Sequence, residues 1–461
     1  MKSLIQFNNR IRKIAEKIFN FTINDNIWRH ISLTISNGGL GIRDPTRLCH
    51  VAYLSSRISY FPTIDDNVND VLNQINQLIP SLNLVWNENN NNILSQSELS
   101  KLIDEYDKST VLNQLDDMVK IAFLSYTQPF ASAWLSARPL KAEGLYLKDQ
   151  EFITAVKLRL GIPLFNNQPC ICNQKLDQFG YHALTCKIRT DTVSRHNNLR
   201  DIIYNQSRIA GLKPVKEKPG LVYKSKQRPA DIFLPEVNNE SDYWIDVAIT
   251  DPRQPKFKLK SISTPGSAAE AYALIKREKY GHLIKEHAKF KPVIVETFGA
   301  WSKESHEIIE LIARKDNERG VISFSYRKNL LHQKISISIQ RNNSKSILSK
   351  QRLHNNFNEN NENIETNKYL INDKPEAIET KNLKINHQSS LKSNNNNIKP
   401  REKIVNSLPS SIKIKSKRKN NNSPYKSNHN PTLKWNLRST KPIVNFIIDS
   451  IPNIEILKLQ K

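Results

Sequence analysis

Between residues 195 and 315 the apolar residues switch between a helical and a strand period, and the order of the switches admits few folds. Arg195 to Gly211 places Leu199, Ile202, Ile203 and Ile209 on one side of a helix that Gly211 ends. Pro214 to Tyr223, Asp231 to Leu234 and Tyr243 to Thr250 read as strands, the last two separated by a polar loop from Asn238 to Asp242. Ser267 to Phe290 reads as one long helix, with Ser267 as N-cap and Glu270 three residues on as a capping box. Pro292 to Phe298 is a strand of the buried type, and Lys303 to Arg314 a closing helix. The predicted order, α-β-β-β-α-β-α, describes a mixed α/β module, and about 120 residues suffice to bury its core.

Two carboxylates stand out in that module. Asp231 follows Arg228-Pro229-Ala230, and Asp246 lies fifteen residues later inside Trp244-Ile245-Asp246-Val247-Ala248-Ile249-Thr250. From spacing alone they are ordinary strand-end aspartates, one of them paired with Arg228. Asp246 shifts the balance, because a charge between Ile245 and Val247 is costly unless it is paired or used. On neighbouring strands the two can lie side by side, and hard oxygen ligands suit a Mg²⁺ ion acting on a phosphodiester. Lys276 and Lys279, one turn apart on the following helix, share a face, and a lysine there can orient water or stabilise developing charge. Arg195-His196-Asn197 opens the first helix of the module, where His196 can serve as a base, a phosphate contact or a cap-region residue.

A second cluster lies just upstream. Cys170-x-Cys172, nine residues, His182, three residues and Cys186 put four ligands within seventeen positions. Three cysteines and a histidine are a common tetrahedral set for structural Zn²⁺. Three of the chain's four cysteines fall here, which points to metal in a reducing compartment rather than to a disulfide scaffold.

Composition narrows the partner. Among 461 residues Lys+Arg number 69 against 44 Asp+Glu, a net charge of +25, and the simplest partner for that excess is nucleic acid. A mean hydropathy of −0.56 is low for a fully folded chain. From residue 341 onward Asn, Ser, Lys and Ile dominate and carry about +14 of the charge, so 341–461 reads as a disordered basic tail, densest at Lys413 to Lys419. Such a tail is either solvated without set function or an arm for nuclear import or DNA affinity. No apolar run approaches the roughly 18 residues of a membrane span. Basic Met1 to Asn20 contains Glu16 and no small-residue cleavage site, unlike a signal peptide. Residues 1–60 look helical around a glycine turn, Asn37-Gly38-Gly39-Leu40-Gly41, which lacks the lysine of a phosphate-binding loop. Residues 62–130 are polar with an Asn run at 89–92. Helix returns at 131–165, with Trp134, Leu135, Leu145, Phe152, Val156 and Leu160 as core candidates.

Taken in order, several segments look familiar. They are Cys-x-Cys…His-x-x-x-Cys, Arg195-His196-Asn197, Arg228-Pro229-Ala230-Asp231, Asp246-Val-x-Ile-Thr-Asp-Pro252, Lys276-Arg-Glu-Lys-Tyr280 and Val295-Glu-Thr-Phe-Gly-Ala-Trp301. This series resembles the C-terminal region of non-LTR retrotransposon proteins that carry a restriction-endonuclease-like domain of the PD-(D/E)xK type. Ala133-Trp134-Leu135 and Leu158-Arg159-Leu160-Gly161 resemble the segment just upstream in that family, and Gly38 to Asp44 the region after the reverse-transcriptase palm. Coverage is about 30–60 and 130–320. The resemblance implies a helical region over 1–165, a zinc-binding loop over 166–190 and a restriction-endonuclease-like domain over 191–320. It implies Mg²⁺-dependent nicking of target DNA, with Asp231 and Asp246 as the metal carboxylates. The pattern's usual lysine position, two residues after the second carboxylate, is Ala248. In this family the lysine comes from the following helix, which leaves Lys276 and Lys279 as candidates. Arg195, His196 and Arg228 are the expected nucleic-acid contacts, DNA the expected partner with RNA left open, and the nucleus the expected location. One departure is large: no Tyr-x-Asp-Asp-like strand is present, and Asp65-Asp66 and Asp116-Asp117 lack the aromatic partner. The chain therefore resembles a separated C-terminal piece without polymerase activity. The alternative is a non-catalytic nucleic-acid-binding remnant of a retroelement.

Overall fold

The computed structural model describes residues 1–60, 66–80, 82, 95–188, 191–223, 227–237, 240–284, 286–320 and 322–371. The Asn run at 89–92 and the chain from 372, with its basic cluster at Lys413 to Lys419, lie outside the described residues.

Helices α1 (Lys2–Phe19), α2 (Asp25–Ser32) and α3 (Pro45–Tyr60) open the chain. Between α2 and α3 the glycine turn is structural, as expected. A Cβ on Gly39 would stand 2.2 Å from the Leu33 carbonyl oxygen, so nothing larger fits. Among the described residues the polar stretch 62–130 holds three helices: α4 (Asp66–Leu78), α5 (Gln96–Gln114) and α6 (Asp117–Tyr126). Val68, Leu72 and Ile75 pack with Leu99, Ile103, Val51 and Leu54, a small core whose thin apolar stripe escapes a composition reading. Ser95 and Glu98 close a capping box at the start of α5. α7 (Asp149–Leu160) brings Ala155, Val156 and Leu160 against Phe19, Trp28, Ile31, Trp134 and Leu135, as their apolar spacing predicts.

A short helix, α8 (Tyr181–Thr185), precedes the sheet module. The module runs α9 (Asp191–Ile209), β1 (Val215–Lys216), β2 (Ile232–Val237), β3 (Ser241–Thr250), α10 (Pro255–Ser263), α11 (Ser267–Tyr280), β4 (Ala288–Glu296) and α12 (Lys303–Glu318). The sheet order is β1-β2-β3-β4, antiparallel at the first two pairings and parallel between β3 and β4. Two parallel neighbours need a crossover, and α10 and α11 provide it. Ile232, Leu234, Ile245, Val247, Val293 and Val295 face Leu199 and Ile203 of α9 and Ile308, Ile309 and Ile312 of α12. The opposite face packs Ala248 and Ile294 on Ala269 and Ala273 of α11. Burial of each such Ile, Leu or Val stabilises by about 1.5–3 kcal/mol. Strand alternation does the sorting: with Ile245 and Val247 in the α9/α12 core, Asp246 falls on the α11 side.

Four expectations need correcting. The strand foreseen over Pro214–Tyr223 shrinks to two residues, because Glu217 turns at φ 45° and Pro219 has no N–H to pair. The helix foreseen over Ser267–Phe290 stops at Tyr280, and residues from Ala288 leave it to pair with β3. The capping box at its start does not form: Gly266 is the N-cap, and the Glu270 carboxylate accepts from Lys303 N at 2.8 Å. Helix α13 (Phe324–Ile371) carries the chain past 341 instead of releasing it there. Its residues Leu331, Ile335 and Ile339 enter the sheet core, while Leu330 and Ile337 enter the N-terminal one. Ser336 Oγ donates to Ala131 O at 2.9 Å and Ser344 Oγ to Glu151 O at 2.7 Å, so a polar stripe holds this helix in place.

Candidate metal centres

The four predicted soft ligands come together. The ligand atoms of Cys170, Cys172, His182 and Cys186 all lie within 4.8 Å of one another, close enough to bind a metal such as zinc. Local structure explains the convergence. Cys170 N donates to Gln174 O and Asn173 N to Cys170 O, both at 2.8 Å, with Asn173 in the left-handed region at φ 64°. That tight turn brings Cys172 back beside Cys170. Asp177 then caps α8, its carboxylate accepting from the N–H groups of Phe179, Tyr181 and His182 at 3.1, 3.0 and 2.7 Å. His182 in this helix and Cys186 at its C-cap stand four residues apart, and Cys172 Sγ approaches His182 Nε2 to 3.0 Å. Burial pushes the Cys186 thiol up to about 11 and lowers His182, which Asp177 partly offsets. A neutral imidazole is the form that ligates, and a bound cation would draw the thiols to thiolates.

The segment is bolted to the sheet module from two sides. Arg195 of α9 donates to the Leu184 carbonyl of α8 and to Asn343 Oδ1 of α13, the latter at 3.2 Å. Arg253, in a fully buried pair with Asp251 at 3.0 Å, donates to Phe179 O at 3.2 Å. Arg195, expected at a nucleic-acid surface, is thus a buried structural link. It sits in the second turn of α9, not at its start, because the helix begins at Asp191.

The carboxylates form a separate cluster. Asp246 is 5% exposed, and Lys276 Nζ lies 2.8 Å from its Oδ2 and 3.2 Å from its Oδ1. Asp231 stands just before β2. Its N–H donates to Ile245 O at 2.9 Å, its Oδ2 accepts from Val247 N at 2.7 Å, and its Oδ1 lies 3.4 Å from His196 Nε2. The carboxylate thus replaces a backbone acceptor at the end of the β2/β3 ladder, beside Asp246. Burial pushes Asp246 up to about 6; Lys276 pulls it down, the Asp231 charge raises it further and His196 offsets part of that. His196 is raised, chiefly by its hydrogen bond to Asp231, against burial. Burial alone would lower Lys276, but Asp246 outweighs it and the net shift is upward.

The other candidates separate clearly. Lys279 does not reach Asp246; it is exposed, with its ammonium 4.7 Å from the Tyr280 ring centre. Arg228 pairs with Glu217 at 3.3 Å and leaves Asp231 to His196. Sequence reasoning passed over Glu296, a buried carboxylate at the end of β4, and the Asp251–Arg253 pair. The signal for the latter was present in Asp251-Pro252-Arg253, two opposite charges closing an apolar strand. No helix among the described residues is long and apolar enough to cross a membrane. Neither the known protein-family models nor the curated proteins contain a match to this chain.

Proposed function

We propose that this chain is a divalent-metal-dependent DNA endonuclease module of the restriction-endonuclease-like type, related to the C-terminal part of non-LTR retrotransposon proteins. The observation that carries the reading is the Lys276 ammonium on Asp246, with Asp231 and His196 alongside. Two carboxylates, one on β3 and one at the bend just before β2, offer hard oxygen donors of the kind Mg²⁺ takes, and Mg²⁺ keeps several waters besides. Lys276, already resting on Asp246, marks the place as one that attracts a cation. When bound there, the ion supplies charge neutralisation at a phosphoryl oxygen and a more acidic water.

The protein's own groups have defined parts. Asp246, ionised above about pH 6, and Asp231 hold the ion. Lys276 keeps its proton and stabilises charge developing on the phosphate. His196, held by Asp231, is placed to take or relay a proton at Nε2. The net charge of +25 brings the polyanion to the site. The cysteine and histidine set holds a structural Zn²⁺, since protein fills all four positions. Nuclear localisation belongs to the same reading, because DNA is the substrate.

A second reading, a nucleic-acid-binding module that no longer cleaves, draws on the same ion pair: Lys276 neutralises Asp246 without any metal. Supercoiled plasmid incubated with the protein and Mg²⁺ separates the two. Nicked circles that disappear with Asp246→Ala support the nuclease. Intact plasmid across a wide protein concentration, with DNA still bound, leaves only the binding module.

A further inference from the structure

Helix α11 carries Lys276 to Asp246, yet its N-terminus lacks an ordinary cap. Gly266 holds the N-cap position at φ 79° and offers no side chain. Ser267 Oγ lies 3.5 Å from Ser261 Oγ, and Glu270 is taken by the N–H of Lys303. The first N–H groups of a helix otherwise need partners from elsewhere. Glu296, the last residue of β4 and 1% exposed, provides one: its Oε1 accepts from Ala269 N at 3.3 Å. A carboxylate there also meets the positive end of the helix dipole. Ala269 and Lys276 are seven residues apart, two turns of one face. Between them the helix packs Ala269 and Ala273 on Ala248 and Ile294 of the sheet, with Tyr272 alongside. Small side chains of this kind give little grip along the helix axis, so polar anchors place Lys276: the Arg277–Glu304 pair beside it, and Glu296 with the Glu270–Lys303 contact at the N-terminal end.

We propose that Glu296 is a positioning residue, whose carboxylate seats the N-terminus of α11 and thereby sets the approach of Lys276 to Asp246. It acts through the helix and touches no reacting atom. Its consequence for cleavage rests on the nuclease reading; the placement of Lys276 does not. Facing the carboxylate are the Ser125 hydroxyl from α6, the N–H groups of Ala268 and Ala269, and, beyond the end of β3, Asp251 in its pair with Arg253. Burial raises Glu296 to about 7; Ser125 and the two N–H groups oppose the rise and Asp251 adds to it. The seat is therefore charged above about pH 7 and neutral below.

The test follows the ammonium ¹⁵N signal of Lys276 in the full chain, assigned by Lys276→Arg, from about pH 5 to about pH 9. The wild-type signal is expected to shift in two steps, one near 6 from Asp246 itself and one near 7 from Glu296, and Glu296→Gln to remove the upper step alone. Nicking by Glu296→Gln at high pH should fall by about threefold or more, with loss of the limb near neutrality. A Lys276 signal that titrates identically in both proteins overturns the proposal. If Glu296→Gln does not fold, the wild-type titration still decides: a signal that shows the Asp246 step near 6 and no second step near 7 overturns it equally. A step near 7 in a protein that cuts no DNA leaves Glu296 in its role and removes the nuclease reading alone.

Discussion

Asp246 is stable in the interior only because Lys276 stands on it. With side chains 8% and 17% exposed, the pair resists solvent screening, and removing one partner leaves a buried charge. Lys276→Ala should cost about 3 kcal/mol in urea unfolding. Lys279→Ala, on an exposed side chain, should stay within about 0.5 kcal/mol. Equal losses for the two would contradict the assignment. Two buried acids also set the pH response. Asp246 and Glu296 are raised from 3.8 and 4.5 to about 6 and about 7, so the folded state binds their protons more tightly than the unfolded one. Their contribution therefore opposes folding as pH climbs, from about 4 until it passes about 7. Asp246→Asn with Glu296→Gln should flatten the fall in Tm across that window; an unchanged slope would place the titration elsewhere. For cleavage the sign reverses, because metal needs the ionised form: nicking should rise as pH passes about 6. The choice between the two lysines was not legible in the sequence. One turn apart on a face, they differ only by how far α11 advances over the sheet.

At the scale of elements, α8 and the turn before it are too short to hold themselves. Five residues of helix lie far below the length at which isolated helices persist. Leu176, Ala183 and Leu184 pack with Tyr126, Leu158 and Phe298, and a metal on the four ligands would add to that cohesion, so chelation or Cys186→Ser should lower Tm by roughly 5 °C or more, and elemental analysis should find one Zn²⁺ per chain. Metal-free protein with an unchanged Tm would contradict a structural ion. Loosening should spread to α9 and β3, because Arg195 and Arg253 hold the carbonyls of Leu184 and Phe179. Ligand spacing made this centre legible, as the apolar runs made β2, β3 and β4 legible. Helix α10 was missed because Pro255-Lys-Phe-Lys-Leu-Lys alternates charge and apolar residues like a strand, and it leaves Leu259 exposed. Helix α13 was missed for the opposite reason. Past 341 its buried side bears Asn342, Asn343, Ser344, Ser346 and Lys350 beside Ile347, so the apolar stripe of Leu331, Ile335 and Ile339 is not carried on there.

Over the whole molecule, the excess of 25 positive charges predicts DNA binding that weakens steeply with salt, as counterions return to the phosphates. Affinity measured between about 50 and 200 mM salt should fall by about tenfold or more, and a flat response would contradict an electrostatic interface. The mixed sheet with helices on both faces was legible, since strand and helix periods alternate in order. The seating of the N-terminal helices was less so. It depends on contacts such as the buried Arg159 guanidinium, which donates to the carbonyls of Ile35 and Gly39 more than a hundred residues away. What the molecule sets out is an acid of β3 paired with an ammonium of α11, with the Asp231 charge from the bend before β2 near enough to raise that acid, and the proposed site needs both acids on one ion. Diffraction from crystals soaked in Mn²⁺, read by anomalous scattering, addresses that convergence without relying on activity. One peak on the order of 2.2 Å from an oxygen of Asp231 and an oxygen of Asp246, lost in Asp246→Asn, is the predicted result. A map with a filled cysteine and histidine centre and nothing between the two aspartates at saturating Mn²⁺ would contradict it.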